Sequence, residues 1–247
     1  MVTEISIELV PRSLEALDAE LRLVRDRFPS VHTVNVPDLL RFPVRSWEAC
    51  RHARRYVPTA IPHLRAMDFD AGKPFALAAT LAEAGIREVL VVSGDPPQDL
   101  AHRIYPTRPV ELIRRIKRDA PELVVYAGFD PYRSGARSEL EYARAKLDAG
   151  ADALFSQPFF DLRLMEVWAE LLAGVPIWWG VSPVLSDRTR RYWETKNGAF
   201  FPAAFQPTLD WNRDFAARAL AWVRARGANV YFMPIRADLE RWLHGIV

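Results

Sequence analysis

The chain has 247 residues, half of them apolar, and its 33 Lys and Arg against 31 Asp and Glu give a formal charge of +2. This balance argues against a basic nucleic-acid-binding face. The single cysteine, Cys50, excludes an internal disulfide and a multi-cysteine metal site, and is expected to be a small buried side chain. No apolar run approaches the roughly 20 residues of a membrane span, and no basic and then apolar leader precedes the first strand, so a cytoplasmic protein without membrane contact is expected.

The first segment alternates between polar and apolar side chains, which predicts a strand. Ile5, Ile7 and Leu9 would pack outward against helices, so Ser6 and Glu8 would point inward. An inward carboxylate is costly unless it has a partner or a function.

Short apolar runs predict seven further strands, at 31–36, 60–67, 88–92, 123–127, 153–156, 176–181 and 229–234. Helices are predicted between them, among them 13–28 with Ser13 as N-cap, 46–56 and 109–118. A helix, a glycine and a strand follow one another at Gly85, Gly150, Gly174 and Gly227, which indicates parallel β/α units. Eight strands over this length favour a (β/α)8 TIM barrel occupying residues 1–247 as one domain.

Polar side chains fall at or near the predicted carboxyl ends of the strands, the face where barrel enzymes carry their chemistry. These are Glu8, His63, Asp95, Tyr126 and Gln157. Two carboxylates and an amide at one edge suit acid–base chemistry.

Each of these residues also has a structural interpretation. Glu8 could form an ion pair with an inward arginine such as Arg65, Asp95 could make an Asx turn or cap a helix, and His63 could be a hydrogen-bonded core histidine. No second histidine or carboxylate stands at ligand spacing from His63, so no metal is assigned. Lysines, including Lys146, fall in helices or loops, which argues against a Schiff-base aldolase.

Ordered motifs run along most of the chain. Residues 6–8 read SIE before Pro11, 93–97 read SGDPP, 146–152 read KLDAGAD, 157–161 read QPFFD and 180–183 read GVSP. Together they resemble the signatures of the methylenetetrahydrofolate reductase family. The DAGAD turn alone occurs in many barrels, whereas GDPP followed at the right distance by KLDAGAD and QPFFD is specific.

The resemblance implies a flavoprotein barrel of one-carbon metabolism that passes a hydride from NAD(P)H to FAD and on to 5,10-methylenetetrahydrofolate, giving 5-methyltetrahydrofolate. Glu8 would protonate a folate nitrogen as the five-membered ring opens, and Asp95 would stabilise the resulting cation beside the flavin. Gln157 would hydrogen-bond the folate or the nicotinamide, and Phe159 would contact the substrate. The cofactor contacts it implies are His63, Ser93, Gly94, Asp95, Tyr126, Asp130 and Lys146.

The chain also departs from the family pattern. Ser93 replaces an Arg, Asp130 replaces a His, and Asn35 to Asp38 replace a Thr-x-Gly-Ala turn, so the implied pyrophosphate site loses a cation and gains an anion. Candidates to replace the lost charge are Arg41, Arg65, Arg133 and Arg137. The aromatic side chain expected after strand seven to stack on folate is absent, and Tyr192 or Trp193 are its candidate substitutes.

Two hypotheses follow. Retention of Glu8, Asp95 and Gln157 favours a reductase, with or without FAD. Loss of the Arg at Ser93 favours a homologue that binds folate or acts as a partner subunit without hydride transfer. The eight Trp residues leave room for an aromatic interface in a homo-oligomer.

Overall fold

A computed structural model describes residues 2–97 and 102–247. Its strands form a closed, all-parallel barrel in sequence order, with β8 paired to β1. This confirms the predicted TIM barrel. The strands are β1 Ile5–Glu8, β2 Thr33–Val36, β3 Thr59–Arg65, β4 Glu88–Val92, β5 Val124–Phe129, β6 Ala153–Phe159, β7 Ile177–Val181 and β8 Asn229–Phe232.

Among the described residues, the α-helices lie outside the barrel, one after each of the first six strands, two between β7 and β8 and one after β8. They are α1 Leu14–Arg27, α2 Ser46–Ala53, α3 Ala78–Glu83, α4 Pro109–Asp119, α5 Ala136–Asp148, α6 Leu162–Leu171, α7 Asp187–Asn197, α8 Leu209–Ala225 and α9 Leu239–Leu243. A 3₁₀ turn, Ala66–Asp68, follows β3. Within the described residues, no helix combines the length and the apolar character that a bilayer crossing requires.

The local helix signals act as the sequence predicts. The Ser13 hydroxyl accepts a hydrogen bond from Ala16 N at 3.1 Å and caps α1. α5 ends before Gly150, whose φ of +108° suits a residue without Cβ. The Asp152 carboxylate after this turn accepts from Val125 N at 2.7 Å, which ties the start of β6 to β5.

Two strands run further than predicted, whereas β3 and β8 each end two residues earlier, at Arg65 and Phe232. β5 continues to Phe129 and β6 to Phe159, because pairing persists through Phe129 with Ser156 and through Phe159 with Val181. Tyr126 is therefore the third residue of its strand, and Gln157 lies within β6 beside a register shift.

Side chains alternate between two hydrophobic layers, as the period of a strand requires. Ile5, Ile7 and Leu9 pack outward against the helices, as predicted. Cys50 is fully buried in the same layer.

The barrel interior is filled by aromatic side chains from several strands. Phe155 stacks on Trp178 with ring centroids 5.0 Å apart, and Tyr126 and Tyr231 lie within 5.2 Å of Phe155. The Tyr126 hydroxyl donates to Glu88 Oε2 at 2.9 Å, at the amino end of β4. These aromatic side chains fill the part of the barrel near the amino ends of the strands, so the open space lies at the carboxyl ends.

Candidate functional site

The barrel mouth holds a cavity of about 850 Å³. It is bordered by residues from β1, β3, β6 and the loop after β4, among them Glu8, His63, Asp95 and Gln157. The structure thus brings together four of the polar residues that the sequence placed at strand ends.

Glu8 lies in a hydrogen-bonded cluster at the end of β1. The Ser6 hydroxyl donates to Asn35 Oδ1 at 2.7 Å, which turns the amide nitrogen of Asn35 toward the other two members. Asn35 Nδ2 is 3.1 Å from Glu8 Oε2 and 3.1 Å from His63 Nε2. The second carboxyl oxygen of Glu8 bonds to no described residue, and Glu8 borders the cavity.

Burial decides the charge state of this cluster. Desolvation raises the pKa of Glu8 to about 8, and the Asn35 hydrogen bond lowers it only in part. Desolvation likewise lowers the pKa of His63 to about 3. At neutral pH Glu8 is therefore a protonated acid, and His63 is a neutral ring that accepts from Asn35 through Nε2.

Arg65 does not pair with Glu8, so that alternative for the inward carboxylate was wrong. Its Nη2 donates to the backbone oxygen of Asp95 at 2.6 Å and lies 3.6 Å from Asp68 Oδ1. Gly94 has φ +87°, and a Cβ there would stand 2.8 Å from Arg65 Nε. A glycine is therefore needed at this position for the loop after β4 to rest on Arg65.

The residues that replace the family's turn after β2 build a second polar network. Asp38 is buried and receives Arg45 Nε at 3.0 Å, Arg45 Nη2 at 2.5 Å and Ser46 N at 3.1 Å. Arg45 Nη2 also donates to Asp68 at 3.0 Å. Through Asp68 this network joins Arg65 and so supports the loop that carries Asp95.

Asp95 and Gln157 present free polar groups to the mouth. Asp95 is exposed, and the bond that it makes to Arg65 uses only its backbone oxygen. Gln157 is half-buried, and its amide bonds to no described residue. Both side chains are available to a ligand in the cavity.

Lys146 reaches the mouth although it belongs to α5. Its Nζ donates to Gly128 O at 2.6 Å near the end of β5 and stands 3.8 Å from Glu139 Oε1. Burial lowers the pKa of this ammonium to about 8. Lys146 lies in a helix, as the sequence predicts, and its long side chain carries Nζ to the end of β5.

Asp130 borders the cavity beside this group. Its Oδ1 accepts from Tyr132 N at 2.9 Å, and its own amide donates to Glu139 Oε1 at 3.0 Å. Burial raises the pKa of the Asp130 carboxyl above its usual value.

Two proposed site residues lie away from the mouth. Tyr126 points toward the amino end of the barrel, where it bonds Glu88, because β5 runs further than predicted. Phe159 points outward and packs on Phe129 and Trp179 between strand and helices. Neither borders the mouth cavity.

A second cavity of about 590 Å³ adjoins the first. Ser93, Pro109 and Arg133 border both, so the two spaces meet at these residues. The second cavity is also lined by Arg108, Ser134, Ser138 and Tyr142. Of the arginines named as replacements for the one missing at Ser93, Arg133 lies at this junction.

α7 supplies an aromatic rim. Tyr192 is 55% exposed, Trp193 is buried, and both border the mouth cavity. Ser186 caps the helix by accepting from Thr189 N at 3.2 Å. These are the two residues proposed to replace the missing aromatic after β7.

The sequence did not identify Asn35 and Asp38 as site residues, and they were noted only as departures from the turn that the family has after β2. The available signal was the alternation of side chains along β2. Asn35 lies on the opposite face of the strand from Val34 and Val36, and it pairs in register with Glu8. No local signal marks Arg45, since its partners come from two separate loops.

Comparison with known proteins points to one family. The family model described as methylenetetrahydrofolate reductase matches residues 45–222, which is well over half of the chain.

Named relatives align over shorter segments. The 5,10-methylenetetrahydrofolate reductase of Buchnera aphidicola subsp. Schizaphis graminum is 30% identical over 112 residues, covering 45% of this chain and 38% of the relative. That of Escherichia coli (strain K12) is 26% identical over 156 residues, covering 61% and 53%. The chain thus spans about half or less of the length of these relatives.

Solved structures share the fold at low identity. A protein from Clostridium thermocellum that binds two copies of 5-methyl-5,6,7,8-tetrahydrofolic acid is 11% identical, with a TM-score of 0.65 and coverage of 98% of this chain and 93% of that one. 2,3-Dimethylmalate lyase is 13% identical, with a TM-score of 0.58 and coverage of 96% and 76%.

Proposed function

This chain belongs to the methylenetetrahydrofolate reductase family, and on that premise we propose that it reduces 5,10-methylenetetrahydrofolate to 5-methyltetrahydrofolate with hydride from NAD(P)H by way of FAD. The observation that carries the proposal is the protonated carboxyl of Glu8 at the floor of the mouth cavity. A buried acid with this pKa suits proton donation at neutral pH.

The proton needs a defined direction. Asn35 occupies one oxygen of Glu8, and the other faces the cavity without a described partner. Ser6 fixes the orientation of the amide, and neutral His63 takes its second hydrogen. Glu8 therefore donates its proton to a folate nitrogen that lies in the cavity, and this opens the five-membered ring.

Ring opening leaves a cationic iminium, which favours an anion nearby. The exposed carboxylate of Asp95 is the candidate, and Arg65 holds its backbone in place. The free amide of Gln157 is available to hydrogen-bond the pterin. The rim residue Tyr192 offers a ring on which the aromatic part of the folate can stack.

The chemistry of the linked cavities fits an FAD-sized group. The two spaces have volumes of about 590 and 850 Å³ and share Ser93, which leaves room where a longer side chain would stand. Arg108, Arg133 and the hydroxyls of Ser134 and Ser138 supply donors for phosphate oxygens.

Arg133, whose Nη2 is paired with Glu139, is the candidate to replace the cation missing at Ser93. Gly94 and Lys146 would approach the ring system at the mouth. When bound, a flavin supplies a hydride acceptor for NAD(P)H and a hydride donor for the one-carbon unit.

A second candidate is a homologue that binds reduced folate without flavin, either as a direct reductase or as a binding protein. The observation that favours it is the pair of carboxyl groups, Asp130 and Glu139, close to the site where a pyrophosphate would lie. The Clostridium thermocellum protein of the same fold, which binds 5-methyltetrahydrofolic acid, is consistent with either candidate.

The visible absorption spectrum of the purified protein tests the proposal, recorded before and after anaerobic addition of NADH and then of methylenetetrahydrofolate. A yellow protein that bleaches with NADH and regains colour with the folate supports it. A colourless protein that takes up no added FAD contradicts it. NADH oxidation that depends on the folate would then identify a direct reductase, and folate binding without oxidation would identify a binding protein.

A further inference from the structure

We infer that Tyr132 and Tyr231 are positioning residues, whose hydroxyl groups hold the backbone on either side of Gln157 and so fix where its amide lies in the mouth cavity. The inference rests on the proposed function, since it takes Gln157 to hydrogen-bond a folate in that cavity. It assigns a role to one side chain of β8 and to one side chain of the loop after β5.

Gln157 lies in a β-bulge, where regular strand pairing does not determine its position. Phe155 pairs with Trp178 and Pro158 pairs with Gly180, so β6 takes three steps where β7 takes two. One extra residue is therefore accommodated in β6 between these pairs. In the part of the barrel that the structure describes, neither β5 nor β7 has a residue in register with Gln157.

The side-chain layers record the same insertion. Leu154 and Phe159 both lie in the hydrophobic layer under the helices, although strict alternation would place residues five apart on opposite faces of the strand. Pro158 has no amide hydrogen and donates no bond to a neighbouring strand. The backbone around Gln157 therefore needs other contacts to hold a single geometry.

Two tyrosine hydroxyls supply these contacts. Tyr132 donates to Pro158 O at 3.0 Å, and Tyr231 donates to Ser156 O. The two carbonyl groups belong to the residues directly before and after Gln157. The backbone is thus held on both sides of the position that carries the amide.

Gly180 makes room for the contact with Ser156. A Cβ at Gly180 would stand 2.9 Å from the Tyr231 hydroxyl oxygen and from two carbons of its ring. Gly180 N also donates to Ser156 Oγ at 2.8 Å. A larger residue at position 180 would displace the Tyr231 ring, so the close approach depends on this glycine.

Tyr132 is itself held in place. Its backbone N donates to Asp130 Oδ1 at 2.9 Å, and its ring lies edge-on to Phe200 with centroids 5.7 Å apart. The amide of Gln157, in contrast, borders the cavity and bonds to no described residue. Its place in the cavity therefore depends on the backbone that carries it, and so on the two tyrosine hydroxyls.

The test is the dissociation constant of monoglutamyl 5-methyltetrahydrofolate, measured by isothermal titration calorimetry on the full chain. Gln157→Ala should weaken binding by about 2- to 12-fold, the usual worth of one neutral hydrogen bond. Tyr132→Phe and Tyr231→Phe each remove only a hydroxyl group and should each weaken binding by part of that factor.

A double variant separates positioning from a general structural effect. Tyr132→Phe combined with Gln157→Ala should bind no more weakly than Gln157→Ala alone, because a hydroxyl that acts through the amide has no effect once the amide is gone. Tyr56→Phe is the matched control, since it removes a hydroxyl that bonds to Asp18 outside the barrel, and it should keep the wild-type dissociation constant.

Thermal denaturation checks that each variant is folded. Tyr132 is only partly buried, so Tyr132→Phe decides the inference if Tyr231→Phe does not fold.

Each outcome decides the inference. Wild-type affinity in the folded Tyr→Phe variants at positions 132 and 231 would overturn it and leave the proposed function standing. A further loss when Tyr132→Phe is added to Gln157→Ala would also overturn it, as would an equal loss in Tyr56→Phe. If the wild type bound no folate, the proposed function would fail, and this inference with it.

Discussion

Replacing Glu8 by Gln separates proton donation from hydride supply. In the wild type, Asn35 Nδ2 donates to Glu8 Oε2 at 3.1 Å. Glutamine keeps the shape of the side chain and an oxygen that can accept this hydrogen bond. It cannot donate a carboxyl proton. Folate reduction should fall by about 10²- to 10⁴-fold, the usual contribution of a general acid, while reduction of bound flavin by NADH should continue.

The same substitution should also change how the free energy of unfolding depends on pH. The unfolded chain holds Glu8 ionised above its ordinary pKa of 4.5, whereas the folded protein keeps the proton up to about pH 8. The folded state therefore binds the extra proton, so stability is lost as pH rises through the folded pKa. Between pH 7 and pH 9 the wild type should lose about 1.4 kcal/mol through this group.

Lys146 has the opposite effect on the pH dependence of stability. Burial lowers its pKa to about 8, so the folded protein loses this proton at a lower pH than the unfolded chain. The quantity to compare is therefore the change in the free energy of unfolding between pH 7 and pH 9. The Lys146 contribution cancels when the value for Glu8→Gln is subtracted from the wild-type value. Urea unfolding at pH 7 and pH 9, followed by tryptophan fluorescence, measures it. Glu15→Gln, at an exposed position of α1, is the control and should show neither effect.

Two results would refute this reasoning. Retention of both half-reactions in Glu8→Gln would remove the general-acid role. An equal pH dependence of stability in Glu8→Gln and wild type would mean that Glu8 is already ionised in the folded protein.

Three further outcomes are expected. Steady-state folate reduction should fall as pH rises above about 8, because Glu8 then loses its proton, and a rate that stays level to pH 9.5 would contradict this assignment. Gly94→Ala should cost about 1–3 kcal/mol in urea unfolding, because φ is +87° and the new Cβ would stand 2.8 Å from Arg65 Nε; an unchanged midpoint would show that the loop relaxes freely. Lys146→Met should cost about 1.5–3 kcal/mol by thermal denaturation, since it removes the charged hydrogen bond to the end of β5 and a neighbour of buried Glu139, and a neutral or stabilising effect would contradict that role.

Much of the fold could be read from short-range patterns. The alternation around Ile7 determines which side chains face the helices, and the turn at Gly150 determines where a helix gives way to a strand. Both signals act within a few residues, so the sequence reports them directly. The ends of β5 and β6 were misplaced because strand length depends on pairing with neighbours, which no local pattern records.

The same distinction applies to the candidate site. The sequence by itself determined the family signatures and the inward position of Glu8, since motif order and strand parity are properties of the chain alone. Only the tertiary structure decided that Asn35 and His63, rather than Arg65, stand beside that carboxyl, and that Lys146 reaches the mouth from a helix. The physical reason is that the charge state and the hydrogen bonds of a side chain depend on its burial and on partners from distant segments. Closure of the barrel determines the burial and brings those partners together.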